Sequence, residues 1–103
     1  MYISRLSFST VPGKGREAAE ALKVLARLIV ETGGAPPRIL RTQFASLGEA
    51  DIQLEQAVDS LGALESQIGM VASHPEFQRW SQEFSPLLNR SPKREIFEVA
   101  GEG

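Results

Sequence analysis

Residues 38–60 read RILRTQFASLGEADIQLEQAVDS, and how this stretch folds decides the architecture of the chain. Two short alternating runs flank the segment SLGEAD. In the first, Leu40, Thr42 and Phe44 alternate with Ile39, Arg41 and Gln43. In the second, Ile52, Leu54 and Val58 alternate with Gln53, Glu55 and Ala57. A period of two sends successive side chains to opposite faces of a strand. The pattern therefore predicts a β-hairpin over 38–58.

Upstream of the hairpin, Gly33-Gly34 and Pro36-Pro37 stop a helix. That helix begins near Arg16. Ala18, Ala21, Leu22, Leu25, Leu28 and Ile29 recur at three- and four-residue spacing, and Glu17, Glu20, Lys23, Arg27 and Glu31 fall mostly elsewhere. This is one apolar stripe on an amphipathic helix. VPGKG (11–15) precedes it as a break. Residues 2–11 alternate, with Tyr2, Leu6 and Phe8 against Ile3, Arg5 and Ser7, which is a strand.

Downstream, Asp59 or Ser60 can cap a second helix, whose stripe is Leu61, Leu64, Ile68 and Val71. Gly62 and Gly69 weaken it, each by roughly 1 kcal/mol relative to Ala. Ser-His-Pro at 73–75 restarts the helix, with Pro75 suited to a first turn. Phe77, Trp80, Phe84 and Leu87 or Leu88 then share one side. NRSPK (89–93) is a loop, and REIFEV (94–99) is a last strand with Phe97 and Val99 against Ile96 and Glu98.

The order β-α-β-β-α-β in two halves, near 1–47 and 50–100, is the ferredoxin-like plan of the α+β class: one antiparallel sheet with both helices on one face. Right-handed crossovers predict the spatial order fourth, first, third and second strand. A length of 103 residues fits a single domain, 1–103. Leu6, Phe8, Leu40, Phe44, Ile52, Leu54, Val58, Phe97 and Val99 are expected to face the helices. Ile3, Arg5, Ser7, Ile39, Arg41, Gln43, Gln53, Glu55, Ala57, Ile96 and Glu98 are expected on the bare face. Such a mixed face is either solvated or packed on a second copy of the sheet.

Composition narrows function by exclusion. A net charge of −2 gives no basic footprint for nucleic acid. The chain has no cysteine, which removes disulfides, thiol catalysis and thiolate metal sites. No run approaches the ~18 apolar residues that span a bilayer, and MYISRLSFST lacks the continuous apolar segment expected of a signal peptide. No membrane association is expected, and a cytoplasmic location is.

VPGKG after the first strand, SLGALESQIGMVASHPEFQRWSQEFSPLL at 60–88 and the closing strand together resemble the NIPSNAP-like families of the dimeric α/β-barrel superfamily. The likeness spans nearly the whole chain. It implies a homodimer in which two sheets face each other through their bare sides. It also implies kinship with cofactor-independent monooxygenases, haem-degrading enzymes, isomerases and barrels of no known activity. Fold does not choose among these.

Under that likeness, Arg5, Arg41, Gln43, Gln53, Glu55 and Glu98 would point into the barrel. Two arginines can hold an anionic or carbonyl-bearing molecule through forked hydrogen bonds. They can equally pair with Glu55 and Glu98, and the near-zero charge of the set favours that. His74 and Trp80 complete the candidate pocket of Arg5, Arg41, Gln43, Glu55, His74 and Trp80. For His74 the simpler reading is a helix-boundary residue, and for Trp80 a packing stripe. His74, Trp80 and Asn89 do not match the His, Trp and Asn placement of haem-degrading relatives, so no role is transferred.

One histidine, with Asp51 and Asp59 lacking ligand spacing, makes no metal site. PGKG lacks the spacing and hydroxyl of a phosphate loop and reads as a plain turn. No cofactor is expected. The function expected is small-molecule binding in the barrel or in a sheet–helix cavity, and the alternative is a cofactor-independent monooxygenase or isomerase.

Overall fold

The computed structural model describes residues 1–102. Its elements are β1 (Tyr2–Phe8), α1 (Gly15–Glu31), β2 (Arg38–Arg41), β3 (Ile52–Val58), α2 (Leu61–Ala72), α3 (Phe77–Phe84), a 3-10 turn (Ser85–Leu87) and β4 (Lys93–Glu98). The four strands form one sheet in the order β2-β3-β1-β4, with every neighbour antiparallel. This is the ferredoxin-like α+β plan and strand order that the sequence predicts. Among the described residues no helix is long and apolar enough to cross a membrane.

Helix α1 buries Ala18, Leu22, Leu25, Leu28 and Ile29, one continuous stripe. It ends because Gly33 enters the left-handed region at φ +90°, which a side chain would oppose. Gly33 N–H then donates to Val30 O at 3.0 Å, and Gly34 N–H to Ile29 O at 2.8 Å. These two bonds satisfy carbonyls that the helix end would otherwise leave free. Ser60 starts α2, its Oγ accepting from Ala63 N–H at 3.0 Å. Pro75 lies in the turn ahead of α3 rather than inside the helix.

The core sits between the sheet and the helices. Phe8, Ile52 and Leu54 come from the strands, Leu22, Leu25 and Ile29 from α1, and Val71, Phe84 and Leu87 from the second half. The other side of the sheet carries no helix, and the molecule is a slab with its shortest extent 18 Å.

Register decides which side chains enter that core. Leu6 opposes Leu54 and Phe8 opposes Ile52, so β1 and β3 face as their alternation predicts. The two outer strands face the other way round. Ile39 opposes Leu54 and packs on the core, whereas Leu40 opposes Gln53 on the bare face. In β4, Phe97 opposes Ile3 on the bare face, while Ile96 opposes Ser4 and Glu98 opposes Tyr2 on the helix side. The cause is a slip of one residue, which exchanges the two faces of a strand.

Strand β2 is also shorter than expected. Phe44, expected against the helices, lies in the loop after it and is 97% exposed. The loop is held from outside the ladder. Thr42 Oγ1 donates to Ala50 O at 2.8 Å, Gln53 Nε2 to Thr42 Oγ1 at 2.8 Å, and Arg90 Nη2 to Gly48 O at 2.6 Å.

Candidate functional site

Two sets of chemistry-bearing side chains emerge, one on each face of the sheet. On the bare face, Glu55 is the hub. Arg5 and Arg38 approach it from the neighbouring strands, Arg5 Nη2 at 2.9 Å and Arg38 Nη2 at 2.8 Å. The Glu55 side chain is only 7% exposed, and each carboxylate oxygen has its own guanidinium. The Arg5 guanidinium also lies 5.1 Å from the centroid of the Phe97 ring, within cation–π range.

The bonds from Arg38 and then Arg5 hold the Glu55 carboxyl below the ordinary glutamate range, against the opposing effect of burial. The folded chain therefore releases this proton more readily than the unfolded chain. Acid favours unfolding here: the stabilisation is complete above the unfolded pKa and disappears as pH falls through the lower folded value. Glu55→Gln is expected to cost about 1–2 kcal/mol at neutral pH. The gap between variant and wild-type urea midpoints should close on acidification below the ordinary glutamate range. A gap that stays constant would show that Glu55 acts by shape alone.

Of the other residues predicted for the barrel interior, Gln53 shares this face. Arg41 opposes Ile52 at helix-side parity beside the start of α1, and Gln43 sits exposed in the loop. Arg38 occupies the position expected of Arg41. Its signal was its place directly across from Glu55, which depends on the register of β2.

His74 and Trp80 lie on the other side of the sheet. The His74 side chain is 17% exposed; its Nδ1 accepts from Glu76 N–H at 3.1 Å, and Nε2 faces Glu31 Oε2 at 3.2 Å. With Nδ1 accepting, the proton sits on Nε2 and donates to Glu31. Arg27 joins the same knot, reaching Glu31 and Glu76 at 2.7 Å each. The group ties the end of α1 to the start of α3. Trp80 Nε1–H donates to Ala21 O at 2.7 Å, and its ring stacks on Phe84 with centroids 4.8 Å apart. Phe77 closes against it at 5.8 Å.

Between the sheet and α2 and α3 lies a cleft of about 330 Å³. Its apolar wall includes Leu6, Leu54, Val71, Phe77, Trp80 and Leu88. This volume is at the small end of ligand-binding pockets. Its polar rim comes from residues outside the predicted set. Gln56 and Gln67 form a reciprocal amide pair, at 3.0 and 2.7 Å, and Gln56 Nε2 also donates to Ala35 O at 3.0 Å. Arg94 enters from β4, its Nη1 donating to Ser4 Oγ at 2.7 Å.

Ser4 and Gln56 are missing from the expected set; the signal that would have found them is their polar character at helix-side positions of β1 and β3, where they oppose each other across the sheet. Arg94 was hidden by the facing of β4. Among the described residues no group of three or more His, Asp or Glu comes together as a metal site.

Comparison with solved structures places this fold among known proteins. A NIPSNAP domain protein from Burkholderia xenovorans shares it at 16% identity, over 97% of this chain and 95% of its own, with a TM-score of 0.80. A NIPSNAP family protein from Agrobacterium tumefaciens does so at 16% identity, over 94% and 90%, with a TM-score of 0.77. A proposed antibiotic biosynthesis monooxygenase from Nitrosomonas europaea matches at 14% identity, over 98% and 100%, with a TM-score of 0.74. No family model matches the chain, and none of the curated proteins does.

Proposed function

We propose that the chain is a NIPSNAP-like dimeric α/β-barrel protein of one domain that binds a small organic molecule in the cleft between its sheet and helices. The observation that carries the binding is the cleft itself, a ligand-sized space with apolar walls, aromatic side chains and a few polar groups at its rim. The likeness of fold to the NIPSNAP proteins supports the family reading.

A second copy on the bare face supplies the dimer. Phe97 is exposed there, and Ile3, Leu40 and Ala57 share the face with it. Around them Glu55 offsets part of the charge of Arg5 and Arg38, which lowers the cost of covering them. The cleft is on the opposite side of the sheet and stays open in such an assembly.

Two measurements test the reading. Sedimentation at micromolar concentration should give twice the chain mass, and Ala57→Arg, which adds charge and bulk on the bare face beside Ile3, should give the single-chain mass. Titration with 1-octanol should change the emission of Trp80 saturably, and Ala72→Phe on the cleft wall should abolish the change. A single-chain wild type would overturn the dimer, and a non-saturable response would overturn the cleft as a site.

A cofactor-independent monooxygenase or isomerase is the second reading. It rests on the fold shared with the Nitrosomonas europaea protein and on a cleft that would shield a bound substrate from water. The walls hold no Asp, Glu, His or Lys among the described residues, so they offer no general base. Oxygen uptake that depends on the bound molecule would favour the monooxygenase.

A further inference from the structure

Several arginines have an acid partner and Arg94 does not; among the arginines, Arg94 is the one that lines the apolar cleft. Arg5 and Arg38 share Glu55, Arg27 has Glu31 and Glu76, and Arg79 has Glu83. Arg94 has only the Ser4 hydroxyl, and no carboxylate among the described residues lies within ion-pair distance of it. Its neighbours in β4, Lys93 and Glu95, face the other side of the sheet and meet each other at 3.9 Å. Ser4 is almost fully buried, and its hydroxyl anchors the exposed Arg94 guanidinium at the edge of the apolar cleft. Partial desolvation at the cleft edge pushes the Arg94 pKa below its ordinary value. Arg94 stands exposed at the mouth of the apolar cleft with no counter-charge of its own, which leaves its guanidinium available to a bound anion.

Resting on the cleft reading above, we infer that the ligand is an amphipathic monocarboxylate, its apolar body against Trp80 and Phe77 and its carboxylate on Arg94. One planar guanidinium matches one carboxylate through two parallel hydrogen bonds. With Nη1 committed to Ser4, Arg94 keeps Nε and Nη2 for the ligand, and Ser4, an acceptor in that bond, retains its own hydroxyl hydrogen to donate. A single fixed cation suits a monoanion better than a phosphate. A volume of about 330 Å³ corresponds to roughly ten water-sized volumes, room for a body of about eight carbons and its head.

The chain's single tryptophan lines the cleft, so its emission reports occupancy directly. The test titrates octanoate and 1-octanol, ligands of equal chain length, into wild type, Arg94→Gln and Arg94→Lys. Wild type should bind octanoate at least about tenfold more tightly than octanol. Arg94→Gln should bring the two affinities together with octanol binding changed by less than about twofold. Arg94→Lys should keep part of the preference. Equal affinities in wild type would overturn the carboxylate and leave the cleft as an apolar site. No saturable response to either would overturn the cleft and the carboxylate together.

Discussion

Phe8→Ala should lower the stability of the folded chain by about 3–5 kcal/mol, the range for emptying a phenylalanine-sized space in a packed core. Phe8 is 2% exposed, at the end of central strand β1, opposite Ile52. Its ring meets Phe84 edge-on, with centroids 5.3 Å apart and planes at 88°. That geometry is worth about 0.5–1.5 kcal/mol beyond area burial, so the substitution loses both a transfer contribution and a directional contact. The site cannot collapse easily, because β1 is clamped by β3 on one side and β4 on the other. Phe8→Leu, which refills most of the space, should cost about a third as much. Urea unfolding checks both through the midpoint at constant slope. A loss under about 1.5 kcal/mol for Phe8→Ala would mean that the second half closes over the gap.

Trp80→Ala should cost about 2–4 kcal/mol, less than a fully buried tryptophan because the residue is only partly buried. The indole stacks on Phe84 and donates to Ala21 O, so it fastens α3 to α1 as well as filling space. Trp80→Phe separates the two roles. It keeps a ring on Phe84 and gives up the indole N–H, for about 1 kcal/mol. Both variants lose the fluorescent reporter, so far-UV circular dichroism follows the unfolding. Equal costs for the two would assign the whole effect to the hydrogen bond and none to the stacking.

Much of the fold was legible because the two central strands alternate cleanly. Leu6 and Phe8 in β1, and Ile52, Leu54 and Val58 in β3, leave one choice of inner face, and the core is built on them. The outer strands carry adjacent apolar pairs, Ile39-Leu40 and Ile96-Phe97. Either member can face inward, and only pairing with β3 and β1 settles which does. The candidate site inherited that ambiguity. Ser4 and Gln56 could be placed because their strands could be, whereas Arg94 and Arg38 could not. The end of β2 was illegible for another reason. Phe44 continues the alternation on paper, yet the loop's own hydrogen bonds through Thr42 and Gln53 take the backbone out of the ladder at Arg41.

The pairing of β1 with β3 and β4 has a consequence for how the protein is made. Strand β1 leaves the ribosome before both of its partners, β3 and β4, which are encoded in the second half of this sequence. Until they emerge, its amides and its greasy side chains wait unpartnered beside a tethered helix, the condition in which nascent chains aggregate or recruit chaperones. Closure demands distant encounters, Tyr2 with Glu98 being the extreme, which slows acquisition of the native state. Synthesis must thus pass β4 before the centre of the sheet can form.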